Sequence, residues 1–334
     1  MSESPGKRIP AWLWGGLTVV VVVIATVLAL RDRPQAPPES FELDLAKYQQ
    51  VDPALVKYTE ATSIDPGLQH VRALATSPED RIYVTGENAV ALFDLGGAEV
   101  ARYQIEGSPD CLAVAPDGAM LLGLRTHVEV MNTQGEIEAV WPEPGPKTHI
   151  TSIAADVQDV YVADAGNRVV LRYDRQGTLL NRIGEADEAQ GIPGLIIPSP
   201  YFDVAFDNLG ALWAVDTGRH GFEQYRPSGD LVTAWYRPSM DVDGFCGCCN
   251  PAHVAFLSDG SLVTAEKGVA RVKVFSVDQK LDGFVAQPTA FSDSPDGSLT
   301  CDLETPIRDV AVDAKGRILV LDGRRNKIRV FERN

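Results

Sequence analysis

Residues 150–184 read ITSIAADVQDVYVADAGNRVVLRYDRQGTLLNRIG, and this stretch decides the fold. A short alternating apolar run opens it, and VYVAD forms a second run. A tight turn leads to a third run, and a fourth follows an Asp/Gly turn. Period-two alternation in runs this short marks strands, and Gly and Asn supply the positive φ values that tight hairpins need. The stretch therefore encodes four antiparallel strands joined by turns.

The same logic recurs along the chain. DVAFDNLGALWAVDTGRHGFEQYRPSGDLVTAW begins at Asp203, HVAFLSDGSLVTAEKGVARVKVFSVDQKLDGFV at His253, and DVAVDAKGRILVLDGRRNKIRVFE at Asp309. Two weaker copies precede them: HVRALATSPEDRIYVTGENAVALFDLGGAEVARYQI from His70 and CLAVAPDGAMLLGLRTHVEVMNTQGEIEAVW from Cys111. Four short strands per copy, at a period of about 40 residues, define propeller blades. The predicted fold is all-β, a six-bladed β-propeller.

The copies resemble the NHL repeat over residues 68–331, with Asp207, Asp216, Asp313 and Asp322 at its acidic turn positions. The last copy stops at Phe331, after its third strand. An open edge would remain unless another segment pairs there. The alternating stretch ALVKYTEATSI, residues 54–64, is expected to close the ring as the outer strand of the last blade. The propeller is thus assigned to residues 54–334.

Ahead of it lie a tail (1–10), an apolar segment (11–30) and a Pro-rich spacer and lead-in (31–53). Residues 11–30, AWLWGGLTVVVVVIATVLAL, carry no charge and are long enough to span a bilayer. Trp12 and Trp14 suit the headgroup zone at one end. A cleaved signal peptide usually has a shorter apolar core, so an uncleaved signal anchor is expected. Basic residues flank both ends, Lys7 and Arg8 before and Arg31 and Arg33 after, which nearly balances the orientation signal. The short tail favours a propeller on the extracytoplasmic side, periplasmic or extracellular. PQAPPES, residues 34–40, would serve as a stiff spacer.

The formal net charge of -16 argues against nucleic acid or anionic lipid headgroups as principal partners, because phosphates must be met by clustered Lys and Arg. A protein or small-molecule partner at the channel mouth is the expectation instead.

In NHL-like propellers the innermost strand of each blade starts beside the central channel, usually with Gly. The matching positions here are His70, Cys111, Thr151, Asp203, His253 and Asp309, which would turn a bare backbone ring into a ring of candidate ligands. His, Cys and Asp are metal-ligand types; the same residues can equally pair with one another and line a wet channel. His149 is placed near the mouth, and His127 and His220 in exposed turns. Glu266 and Lys267 are read as a solvated turn, with a catalytic acid or base for Glu266 and an anion partner for Lys267 as the alternatives.

Four of the five cysteines crowd into two loops, Cys246, Cys248 and Cys249 in the loop before the fifth copy and Cys301 before the sixth. Adjacent blades would bring them together. Three chemistries remain open. Cys246 or Cys248 could be bridged to Cys301, as suits an extracytoplasmic site, and a vicinal Cys248–Cys249 bridge would be strained. Thiolates could instead hold an iron–sulfur cluster or a divalent metal ion. Vicinal thiols could also exchange electrons with a partner. The resemblance also admits a metal-dependent hydrolase or lyase at the channel, with Asp203, His253 and Asp309 as ligands. A pure interaction scaffold is the third function class.

Overall fold

The computed structural model describes residues 51–189, 191–247, 249–292 and 306–334. The tail, the apolar segment, most of the spacer, Cys248 and Cys301 lie outside them. Among the described residues no helix is long and apolar enough to cross a membrane. Contacts divide the chain into Met1–Leu45 and Ala46–Asn334, and the propeller belongs to the second unit.

Six separate four-stranded antiparallel sheets form the blades. Their inner strands are Leu74–Ser77, Cys111–Val114, Ile150–Ala155, Val204–Phe206, His253–Phe256 and Ile307–Val312. In blades one to five the four strands follow one another in sequence. Blade six takes its inner three strands from the C-terminal end and its outer strand, Tyr58–Ile64, from the N-terminal side. That strand runs antiparallel to Lys327–Arg333, with Tyr58 opposite Arg333 and Ile64 opposite Ile328. Arg329 reinforces the seam by a 2.5 Å ion pair to Glu60.

Local chemistry explains the repeated hairpins. Asp174 Oδ1 accepts the amides of Gln176 and Thr178, and Gly177 takes φ 85° to complete the turn. Asp207 and Asp313 do the same for the turns at Gly210 and Gly316. These side chains satisfy backbone donors that the reversing chain would otherwise leave unpaired. At the opposite hairpin, Asp164, Asp216 and Asp322 are fully buried and cap the turns into the third strands.

There is no single central core. Instead, each blade packs its face on the next, and the apolar side chains gather into six layers between blades. Phe222, Trp235, Phe245 and Phe275, for example, fill the space between blades four and five. Trp235 and Phe275 meet edge-on with ring centroids 5.0 Å apart. Such face-to-face burial drives the radial arrangement, and the axis is left as a channel lined by inner strands.

Candidate functional site

The channel cavity measures about 310 Å³ and is lined by the inner strands of all six blades. Cys111, Thr151, Asp203, His253 and Asp309 all line it, as the spacing predicts. His70 does not. It is exposed, three residues ahead of the equivalent position, and has φ 50° in the approach to blade one. Sheet register identifies the true equivalents. Val204, Val254, Val310, Leu112, Ile153 and Leu74 occupy one pairing level, opposite Ala214, Thr264, Val320, Leu122, Val162 and Val84. The residue before each of them forms the ring, so Ala73 replaces His70 and Ser152 takes the place assigned to Thr151. Thr151 still borders the cavity, but its hydroxyl donates to Phe202 O at 2.6 Å. The Ser-Ile-Ala and Ala-Leu-Ala triplets, aligned on Asp-Val-Ala, carried this signal in the sequence.

Three of these side chains meet. One donor atom each from Asp203, His253 and Asp309 lies within 4.8 Å of the other two. His253 Nδ1 stands 3.8 Å from both Asp203 Oδ2 and Asp309 Oδ1. Both carboxylates also bond across blade boundaries. Asp203 Oδ1 accepts Ser152 Oγ at 2.5 Å and the Val204 amide at 2.8 Å, while Oδ2 accepts Val254 N at 2.8 Å. Asp309 Oδ2 accepts the Leu74 amide at 2.8 Å, and Oδ1 accepts Val310 N at 2.8 Å.

Burial dominates the electrostatics. It pushes the Asp203 carboxyl up to about 6 against the opposing pull of its hydrogen bonds. Asp309 is raised well above the ordinary range by burial and then by the Asp203 charge. Burial pulls His253 down to about 4, helped by the Arg308 guanidinium, so its imidazole is neutral at pH 7. Two carboxylates and a neutral imidazole are a nitrogen–oxygen donor set suited to a divalent ion. Asp203 Oδ2 and both Asp309 oxygens each accept one amide and keep a second lone pair, whereas Asp203 Oδ1 is filled by Ser152 Oγ and the Val204 amide. With metal–ligand bonds of about 2.0–2.2 Å, donors surrounding one ion lie roughly 3–4.3 Å apart, so a small contraction suffices.

Cys111 occupies the blade-two ring position as a free, buried thiol. Burial raises it well above the usual thiol range, with the nearby carboxylates adding to the effect. Opposite it stands Gly123, where a Cβ would fall 2.2 Å from the Cys111 sulfur.

The cysteine loop borders the same mouth. Cys249 is buried with its sulfur 2.5 Å from Ser199 Oγ, one residue before Pro200 at the rim. Asn250 pins the loop, bonding Cys246 O at 2.6 Å and both the amide and carbonyl of Lys267. His220, expected to be exposed, lies 3.1 Å from Asn250 O through Nδ1 and is half-buried. Cys246 is a half-buried free thiol, and Cys301, its expected neighbour, lies outside the described residues. Among the described residues no group of three metal-ligating side chains includes a cysteine.

Glu266 corrects a second expectation. It is not solvated: it is completely buried, 2.7 Å from Arg271 Nη2 and 2.8 Å from Lys273 Nζ, both also buried. It stands where blades three, four and six carry the turn-capping Asp164, Asp216 and Asp322, and the basic residues at 271 and 273 were the signal for its pairing. Lys267 does lie in the turn, half-buried, with its ammonium over the Tyr201 ring, 4.2 Å from the centroid.

These features define a six-bladed β-propeller with a polar, titratable channel. No family model matches the chain, and no curated protein matches it. Solved structures do. A streptogramin B lyase superposes with a TM-score of 0.58 at 13% identity, covering 85% of this chain and 100% of that one. Selenomethionine-substituted virginiamycin B lyase from Staphylococcus aureus gives 0.56 at 13% identity, covering 82% and 99%. The WD40 propeller domain of Doa1 gives 0.51 at 11% identity, covering 79% of each chain. At such identities the likeness is one of fold.

Proposed function

We propose that this chain is a ligand-binding propeller whose channel holds a divalent cation between Asp203, His253 and Asp309. The convergence of these three donors within 4.8 Å carries the reading. Two acidic side chains buried side by side repel each other unless a proton or a cation intervenes, and an ion would relieve that repulsion while leaving coordination positions for a ligand. The NHL-like spacing of the copies supports the same view. So does the cysteine loop, which flanks the mouth where a protein or small-molecule partner would enter.

The test is titration of resin-chelated protein with Mn²⁺, followed by calorimetry and electron paramagnetic resonance. One site per chain is expected, lost in Asp203→Asn/Asp309→Asn while circular dichroism stays unchanged. Absence of binding to the wild type, or equal binding by the double variant, would overturn the reading.

A second reading, lyase or hydrolase chemistry at that ion, is favoured by one observation. His149, at the mouth and outside the three ligands, is held below the usual imidazole range by burial, so its neutral ring is available as a base at neutral pH. The lyases above share only the fold with this chain, and their substrates are not carried over.

We also infer a single-pass anchor at residues 11–30 with the propeller on the extracytoplasmic side, supported by twenty consecutive uncharged residues. Resistance to carbonate extraction together with protease accessibility from outside the cell checks this. Release by carbonate would refute the anchor, and protection of the propeller would refute its placement.

A further inference from the structure

The chain carries a formal net charge of -16, yet one concavity gathers three arginines. Outside the buried trio, the mouth opens into a cavity of about 300 Å³ whose wall includes Arg72, Asp110, Arg125, His149, Tyr201 and Arg308. The cations come from separate blades. Arg72 leads into blade one, Arg125 sits in a hairpin of blade two, His149 precedes blade three and Arg308 lies in blade six. Radial symmetry therefore brings three guanidiniums to one opening, where Asp110 is the carboxylate among the described wall residues. Asp110 is engaged by Arg72. Arg125 is exposed and makes no ion pair among the described residues.

Burial and then the Arg125 guanidinium lower His149, against the smaller opposing pulls of Asp110 and Asp164. Low-dielectric walls focus such a field, and the guanidinium fork matches the oxygens of carboxylate and phosphate.

We propose that the channel mouth binds a small anion of carboxylate or phosphate chemistry, held by Arg125 together with Arg72 and Arg308. A cavity of about 300 Å³ admits a dicarboxylate or a phosphate monoester rather than a polymer. The site deepens the ligand-binding reading by naming the ligand class, but it stands on residues other than the three cation ligands.

Equilibrium dialysis of the full chain, freed of metal on chelating resin, against inorganic phosphate and against succinate tests it. Saturable binding of at least one anion is expected, and the tighter one identifies the source of the negative group. Arg125→Ala should weaken it about tenfold, and Arg125→Lys should restore part of the loss. Lys280→Ala, at an exposed turn outside the mouth, should leave anion binding in place. No saturable binding of either anion by the wild type would overturn the proposal. So would wild-type affinity in Arg125→Ala, or an equal loss in Lys280→Ala. Because no cation is present, a failure of the Mn²⁺ site leaves this result readable, and Mn²⁺ binding without anion binding sinks this proposal alone.

Discussion

Asp203 Oδ2 accepts the amide of Val254 at 2.8 Å, across the boundary between the fourth and fifth blades. Asp309 makes the same kind of joint to Leu74, from the sixth blade to the first. The candidate cation ligands are therefore also mechanical links of the ring, and the two roles can be separated by experiment.

Asp203→Ala in metal-free protein should lower unfolding stability by about 2–4 kcal/mol, because the Val254 and Val204 amides and the Ser152 hydroxyl lose their acceptor. Asp203→Asn keeps one acceptor oxygen and should cost less than half as much. Urea unfolding in metal-free buffer measures both.

Protons should compete with the cation. Asp203 titrates near 6 and Asp309 lies well above the ordinary carboxylate range, so Mn²⁺ affinity should fall as pH drops from 7 to 5. The loss should reach roughly tenfold per pH unit for each proton displaced. In metal-free protein the raised Asp203 contributes stability that is fully present below its unfolded value near 3.8 and lost as pH rises through about 6. His253 acts oppositely: its depressed value makes stability fall as pH drops from 6.5 toward 4. His253→Gln should therefore expose a net gain in stability on acidification from pH 7 to 4, read by thermal unfolding.

Glu266→Ala leaves Arg271 and Lys273 buried without their carboxylate. It should destabilise the protein by about 3–5 kcal/mol. Lys273→Met should cost clearly less, since Glu266 keeps Arg271 at 2.7 Å and the aliphatic stem still packs on Phe245 and Phe275. Calorimetric melting of the two variants gives the order.

Thiol chemistry should divide along burial. Cys111 is raised well above the usual thiol range inside the channel wall, so native protein should leave it unalkylated by iodoacetamide at pH 8. Cys246, half-buried, should react first, and both should react in urea. Peptide mass mapping after timed alkylation distinguishes them.

Removing residues 1–66 deletes the outer strand of blade six and uncovers the edge of Lys327–Arg333. An unpaired edge invites strand addition, so the truncated propeller should self-associate on size exclusion and lose cooperative unfolding.

Much of this was written locally. Blade number follows from the sixfold recurrence of hydrophobic alternation and Asp/Gly turns, because each blade's hairpins are short-range and depend on side chains a few residues apart. Asp203, His253 and Asp309 were equally legible, since all three open the same Val-Ala strand. His70 was misplaced by three residues in the weak first copy and Thr151 by one in the third, where no Asp or His anchored the alignment and pairing register pointed to Ala73 and Ser152.

What required the tertiary structure was everything that arises when distant blades face one axis. Spacing along a chain does not reveal that Arg72, Arg125 and Arg308 share one opening, because their proximity comes from closing the ring. Nor does it reveal that Glu266 is buried, which depends on how blades four and five press their faces together. Strand identity is a property of neighbours in sequence, whereas the charge and depth of a channel are properties of neighbours in space.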